Sequence, residues 1–276
     1  MTIKLASSYG FCYGVKRAID IAQQNPNSKT YGPLIHNKDE INRLKQNYNI
    51  DLATSINDLN ADETVVIRTH GITKSELKIL KNQNNKIINA TCPYVTKPQQ
   101  IVEQMSSEGY SVVIFGDQNH PEIKGVYSYG EEGSTFIVNT PEDIKFNELK
   151  SKVAVVAQTT RKPQDFEKIV NTLVCRVKEV RVFNTICNAT FENQDAASDL
   201  AKEADVMIVI GGKHSSNTKQ LHSICKQYCE KSYLVENESE LQKEWFEGRH
   251  LCGISAGAST PDWIVQNVIN FITKIA

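Results

Sequence analysis

Three of the seven cysteines share a setting that could do chemistry. Cys12, Cys92 and Cys187 each follow a short strand-like run, at residues 3–7, 86–90 and 180–184. Each precedes apolar residues at helical spacing. These are Val15, Ala18, Ile19 and Ala22 after the first cysteine. After the second they are Ile101, Val102 and Met105, with Pro98 near the helix start. After the third they are Ala196, Ala197, Leu200 and Ala201. Thiols held at equivalent points of a repeated unit are candidates for a shared metal centre, whereas a single cysteine is more often a small buried apolar residue. No CxxC pair occurs, so zinc-ribbon and thioredoxin-like patterns are absent. Cys175, Cys225, Cys229 and Cys252 lie in helical or apolar stretches and read as packing residues.

Three cysteines without a fourth point to a centre with one open position. Structural zinc normally closes with four ligands, and a [4Fe–4S] cluster usually takes four thiolates. A cluster with three protein thiolates leaves one iron free to act as a Lewis acid. The competing reading is three structural cysteines.

After each helix a second strand leads into a polar loop. The loops contain His36-Asn37, then His120-Pro121-Glu122, then Ser215-Ser216-Asn217. A third strand leads to a second loop, with Thr69-His70-Gly71, then Gln158-Thr159-Thr160, then a stretch ending at Ser259. From cysteine to first loop is 24 residues at His36, 28 at His120 and 28 at Ser215. The unequal distances to the second loops are read as insertions in surface connections.

The loop residues suit an anionic ligand. His36, His70 and His120 are neutral hydrogen-bonders at equivalent strand ends. Ser215, Ser216 and Asn217 either cap the helix that follows them or offer hydroxyls, an amide and backbone N–H groups to an anion. No GxxxxGK[ST] or GxGxxG run is present, so the ordinary nucleotide fingerprints are missing. Glu122, two residues after His120, forms with it a candidate acid/base pair for proton delivery.

Alternating strands and amphipathic helices imply an α/β fold with parallel sheets. The repeat predicts three pseudo-equivalent α/β units. In such sheets ligands bind beyond the carboxyl ends of the strands, where all these residues lie. The expected architecture therefore has three parallel sheets arranged around a central cavity. Asn37 with Glu40, and Thr73 with Glu76, have capping-box spacing. Thr260-Pro261 reads as an N-cap followed by an N1 proline.

Composition agrees with a globular chain of 276 residues. Hydrophobic residues are 40% and charged residues 23%, with a net charge of −1, so neither a disordered polyanion nor a general nucleic-acid coat is indicated. No apolar run reaches the ~20 residues that span a bilayer. The first residues lack a signal peptide's apolar segment, so a cytoplasmic location is expected.

The series Gly10-Phe11-Cys12-Tyr13-Gly14-Val15, His36-Asn37, Thr69-His70-Gly71, Ala90-Thr91-Cys92-Pro93, His120-Pro121-Glu122, Gln158-Thr159-Thr160, Ile186-Cys187-Asn188-Ala189-Thr190, Ser215-Ser216-Asn217 and Ala256-Gly257-Ala258-Ser259 resembles, in order, the motifs of the 4-hydroxy-3-methylbut-2-enyl diphosphate reductase family. The resemblance runs from residue 10 to residue 259. It implies the last step of the non-mevalonate isoprenoid pathway, reductive dehydroxylation of an allylic diphosphate alcohol to isopentenyl and dimethylallyl diphosphates. It implies an oxygen-sensitive [4Fe–4S] cluster on Cys12, Cys92 and Cys187. Substrate contacts would come from His36, His70, His120, Thr159, Ser215, Ser216, Asn217 and Ser259. Glu122 would be the proton donor, and ferredoxin or flavodoxin the source of electrons. The implied fold has three domains around the cluster: 14–92, 93–183, and 184–276 completed by strand 1–13. His214 and Asn193 depart from the family pattern, which commonly has Asn and a basic residue there. Two other readings remain: an iron–sulfur redox sensor, and a transferase using Cys12 as nucleophile.

Overall fold

A computed structural model describes residues 1–35 and 37–275, apart from the side chain of Ser216. Strand β1 (Thr2–Leu5) opens the chain. Three runs of one pattern follow. The first is α1 (Tyr13–Gln23), β2 (Lys29–Tyr31), α2 (Lys38–Tyr48), β3 (Asp51–Ala53), β4 (Thr64–Ile67), α3 (Lys74–Asn82) and β5 (Lys86–Asn89). The second is α4 (Pro93–Ser107), β6 (Ser111–Phe115), α5 (Pro121–Tyr127), β7 (Thr135–Val138), β8 (Lys152–Ala157), α6 (Pro163–Val174) and β9 (Glu179–Val182). The third is α7 (Ala189–Ala201), β10 (Val206–Ile210), α8 (Ser216–Tyr228), β11 (Ser232–Val235), β12 (Leu251–Ala256) and α9 (Asp262–Ile275).

The strands form three four-stranded sheets in the orders β3-β2-β4-β5, β7-β6-β8-β9 and β11-β10-β12-β1. Their pairings are parallel throughout the described residues. The three orders are one topology, with β1 in the place held by β5 and β9. Its register, Leu5 opposite Ile254, is that of a strand taken from the start of the chain to finish the last sheet.

The residues explain the layers. β6 (SVVIF) and β10 (VMIVI) are buried along their whole length, as expected of parallel strands covered on both faces. In the third sheet Ile208, Ile210, Ile254 and Ala256 meet the α9 stripe Ile264, Val265, Val268 and Ile272. Met207 and Val209 point the other way, onto Leu200, Leu221 and Cys225. That alternation is the period-2 geometry of a strand.

By contacts the chain forms two compact units. One contains Met1–Lys16, Ile35–Tyr48 and Asn188–Ala276, with the third sheet; the other contains Arg17–Leu34 and Asn49–Cys187, with the first two sheets. Helix α2 thus belongs with the first of these units, although β2 and β3 on either side of it do not.

Several local expectations are corrected. The intervals read as loop insertions contain the edge strands β3, β7 and β11 and short 3-10 turns. Strands of three or four residues leave too brief a period to stand out in sequence. Helix α4 starts at Pro93, and Pro98 lies inside it. One expectation is met: Thr73 and Glu76 form the full capping box. Asn37 accepts the Glu40 amide at 2.9 Å, but both carboxylate oxygens of Glu40 bind elsewhere, to Arg43 and Trp263. Thr260 donates its hydroxyl to the Ile210 carbonyl at 3.0 Å, and the Pro261 carbonyl accepts the first amides of α9.

Candidate functional site

The three cysteines occupy one backbone environment repeated in each sheet. The Cys92 amide donates to the Thr69 carbonyl (3.0 Å), the Cys187 amide to Thr159 (2.8 Å) and the Cys12 amide to Ala258 (3.4 Å). Each acceptor lies two residues beyond the end of its strand: β4, β8 and β12. Two residues before each cysteine the chain bonds the last residue of that same strand. Ala90 donates its amide to Ile67, and Gly10 to Ala256; Thr185 donates its hydroxyl to Ala157 and accepts the Ala157 amide. Backbone bonds before Cys12 and Cys92, and the Thr185 hydroxyl before Cys187, therefore deliver each thiol to a carboxyl-end loop.

All three thiols are half-buried, and among the described residues no disulfide joins any cysteine. Cys225, Cys229 and Cys252 are buried. Burial pushes the Cys225 and Cys252 thiols up to about 12, so these are inert packing groups. Cys175 is not a packing residue: it caps the end of α6 and is exposed. Within either unit, no three described His, Cys, Asp or Glu side chains gather as a metal site.

In the unit that holds Cys92 and Cys187, Glu122 is 2% exposed. Thr159 donates its amide to Glu122 Oε1 (2.8 Å) and its hydroxyl to Oε2 (2.7 Å). Burial raises the Glu122 pKa above its ordinary value, and the two Thr159 bonds pull the other way. The expected pairing with His120 takes a different form. His120 caps α5, with Nδ1 accepting the Glu122 amide at 3.2 Å. That bond makes Nδ1 the acceptor and leaves Nε2 to carry the proton of a neutral ring. His70 lies edge-on to His120, with ring centroids 5.4 Å apart and planes at 80°. Gly71, with φ +73°, is required there: a Cβ would come within 2.9 Å of Gln99 Nε2.

In the other unit Ser215 caps α8, accepting the Thr218 amide at 3.3 Å. The structural reading of Ser215 is thus correct, and its hydroxyl proton is still available to donate. Asn217 is the unusual residue. Both polar atoms of its side chain are shielded from solvent, and neither has a partner among the described residues. Orphaned amides of this kind are rare in folded proteins and mark places where a ligand or water completes the bonding. Ser259 is half-buried in the loop after β12. His36 lies outside the described residues, as does the side chain of Ser216.

The family described as LytB protein matches residues 3–273. The chain belongs to the LytB family. The 4-hydroxy-3-methylbut-2-enyl diphosphate reductase of a Sulfurovum species is 70% identical, over 100% of both chains. The enzyme of the same name from a Nitratiruptor species is 63% identical, covering 100% of this chain and 99% of that one. A solved structure of (E)-4-hydroxy-3-methyl-but-2-enyl diphosphate reductase, the terminal enzyme of the non-mevalonate pathway, superposes with a TM-score of 0.80 at 42% identity over 100% of both chains. The E-1-hydroxy-2-methyl-but-2-enyl-4-diphosphate reductase of Plasmodium falciparum gives 0.84 at 26% identity, covering 98% of this chain and 87% of that one.

Within this family framework the two departures differ in weight. His214 is exposed. Asn193 is buried; it accepts the Ser8 hydroxyl at 2.6 Å and donates to the Gly10 carbonyl at 3.3 Å. It holds the turn that leads into Cys12. Thr185 does the corresponding work before Cys187, and sequence reasoning missed it. Its position two residues before the cysteine, matching Gly10 and Ala90, is the signal that identifies it.

Proposed function

We propose that this enzyme removes the allylic hydroxyl of 4-hydroxy-3-methylbut-2-enyl diphosphate, giving isopentenyl and dimethylallyl diphosphates, with Cys12, Cys92 and Cys187 as ligands of a [4Fe–4S] cluster. The observation that carries this reading is the single backbone environment shared by the three thiols. Three half-buried thiols at matched strand ends are the soft donor set that iron–sulfur clusters require. When bound, the cluster supplies electrons and a Lewis-acidic iron without a cysteine ligand.

The chain's own groups account for binding and protonation. The reaction takes up two electrons and two protons, breaks the C–O bond, forms a C–H bond and releases water. Glu122 delivers the proton to the departing oxygen, since burial keeps its carboxyl protonated to higher pH than usual. Thr159 holds that carboxyl in place. His70, His120, Ser215 and the orphaned Asn217 amide, with His36, Ser216 and Ser259, bind the diphosphate through neutral donors. The three runs of elements support division into domains 14–92, 93–183 and 184–276 with 1–13. Ferredoxin or flavodoxin supplies the electrons, and the enzyme works in the cytoplasm; no described helix is long and apolar enough to cross a membrane.

A redox sensor or a Cys12 transferase leaves both the Glu122–Thr159 pair and the Asn217 amide without a role. Anaerobic turnover of the allylic diphosphate with a chemical reductant, alongside iron and sulfide analysis, tests the assignment. A cluster-loaded protein that leaves this substrate unchanged would overturn it.

A further inference from the structure

Glu40 is 0% exposed, an unusual place for a carboxylate. Its backbone amide is capped by Asn37 at 2.9 Å. In a capping box the side chain would turn back to the start of its own helix; here it turns away. Arg43 donates to Oε2 at 2.8 Å and Oε1 at 2.6 Å. The indole N–H of Trp263, on α9, donates to Oε2 at 2.8 Å. Bonding this carboxylate raises the Arg43 pKa. A buried carboxylate is strongly unfavourable without such compensation.

Arg43 lies one turn along the same helix and satisfies the charge locally. The Trp263 bond joins two elements far apart in sequence. Glu40 stands four residues after His36, and Trp263 four residues after Ser259. The bond therefore ties the first turn of α2 to the first turn of α9, and in sequence each of these helices follows a segment that carries a proposed diphosphate contact. Asn237 adds a second link to α2, donating to Asp39 at 3.4 Å. Both bonds lie within the unit that holds the third sheet, to which α2 belongs while its neighbouring strands do not.

We infer that Glu40 is a positioning residue for substrate binding: through Trp263 it sets the start of α2 against the first turn of α9 and the Ser259 loop that leads into it. This rests on the proposed reading of those segments as the diphosphate site. The bond joins two side chains of the protein and touches no reacting atom. Its loss should weaken binding of substrate and transition state alike, which raises KM and leaves kcat.

The test uses cluster-loaded enzyme under anaerobic conditions. Trp263→Phe keeps the packing and removes the N–H. It should raise KM about 5-fold or more with kcat within about 2-fold, and weaken inhibition by inorganic diphosphate by the same factor. Glu40→Ala should match it. Glu40→Gln, which retains an acceptor for the indole, should keep KM within about 2-fold of wild type. With Trp245→Phe, Trp263 becomes the sole tryptophan of the two in the chain, and its emission should shift as inorganic diphosphate binds. Unchanged KM and unchanged diphosphate inhibition in both Trp263→Phe and Glu40→Ala, with only thermal stability reduced, would overturn the positioning role. So would a fall in kcat at constant KM. A wild-type enzyme that does not turn over the substrate would instead sink the functional assignment itself.

Discussion

Glu122 is held at both carboxyl oxygens by one residue, Thr159, through the amide at 2.8 Å and the hydroxyl at 2.7 Å. The carbonyl of Thr159 accepts the Cys187 amide at 2.8 Å. A single residue thus fixes the proposed proton donor and one proposed cluster ligand. Replacing Glu122 with Gln keeps size and polarity but removes the acidic proton. We expect normal iron content and near-normal KM, with kcat lowered ~10²–10⁴-fold, the usual contribution of general acid catalysis. A loss confined to KM would make Glu122 a binding residue.

The same burial has a signature in stability. The folded-state pKa of Glu122 is raised above its ordinary value of 4.5. A raised carboxyl contributes fully below the unfolded pKa, and that contribution is lost as pH rises through the folded pKa. Wild type should therefore lose thermal stability relative to Glu122→Gln as pH climbs above the ordinary carboxylate range. Melting curves of the two proteins across that window check the sign, and parallel curves would refute it.

Thr159→Val separates the hydroxyl from the amide. The hydroxyl bond favours the carboxylate, so removing it raises the Glu122 pKa further. An activity that needs the protonated acid is lost on the alkaline side. That limb of the pH–rate profile should move to higher pH in the variant. A shift to lower pH, or none, would show that Thr159 does not tune this carboxyl.

The thiols sort by environment. Cys12→Ser, Cys92→Ser and Cys187→Ser should each lose most of their iron, since a hydroxyl is a poor substitute for a soft thiolate. Cys225→Ser and Cys252→Ser should keep it, because these residues are fully buried and their thiols are pushed up to about 12. Iron and sulfide analysis of the five variants decides the point; equal losses in all five would sink the ligand assignment.

The sequence is legible wherever chemistry repeats. The cysteines, the strands before them and the polar loops recur at similar spacing, and continuous apolar runs such as Val206–Ile210 announce buried strands. The edge strands β3, β7 and β11 are not legible, because so few residues carry no clear period. Side-chain choices among competing partners are also hidden. Glu40 has capping-box spacing yet binds Trp263, which lies 223 positions away. Thr260 precedes a proline as an N-cap would, yet donates to Ile210 across the sheet. His120 and Glu122 are neighbours in sequence, but what they share is a backbone cap, and the carboxyl's partner comes from the loop after β8. Local spacing proposes partners; the tertiary fold chooses among them.

Asn193 offers the last test. It is buried at 4% exposure and bridges the Ser8 hydroxyl and the Gly10 carbonyl. The Gly10 amide is bonded in turn to Ala256 at the end of β12. With φ +69°, Gly10 turns the chain toward Cys12 in a conformation that larger residues resist. Asn193→Ala leaves a buried carbonyl and a hydroxyl short of a partner, at a cost of about 1–3 kcal/mol. Because the damage falls on the turn before Cys12 and not on a thiol, the variant should still fold and load its cluster. It should then lose iron faster than wild type on exposure to a chelator. Asn193→Asp keeps the acceptor for Ser8 but cannot donate to Gly10, so it should behave like the alanine variant in iron loss. If both variants hold iron as long as wild type while melting at a lower temperature, Asn193 supports only the core and not the Cys12 turn.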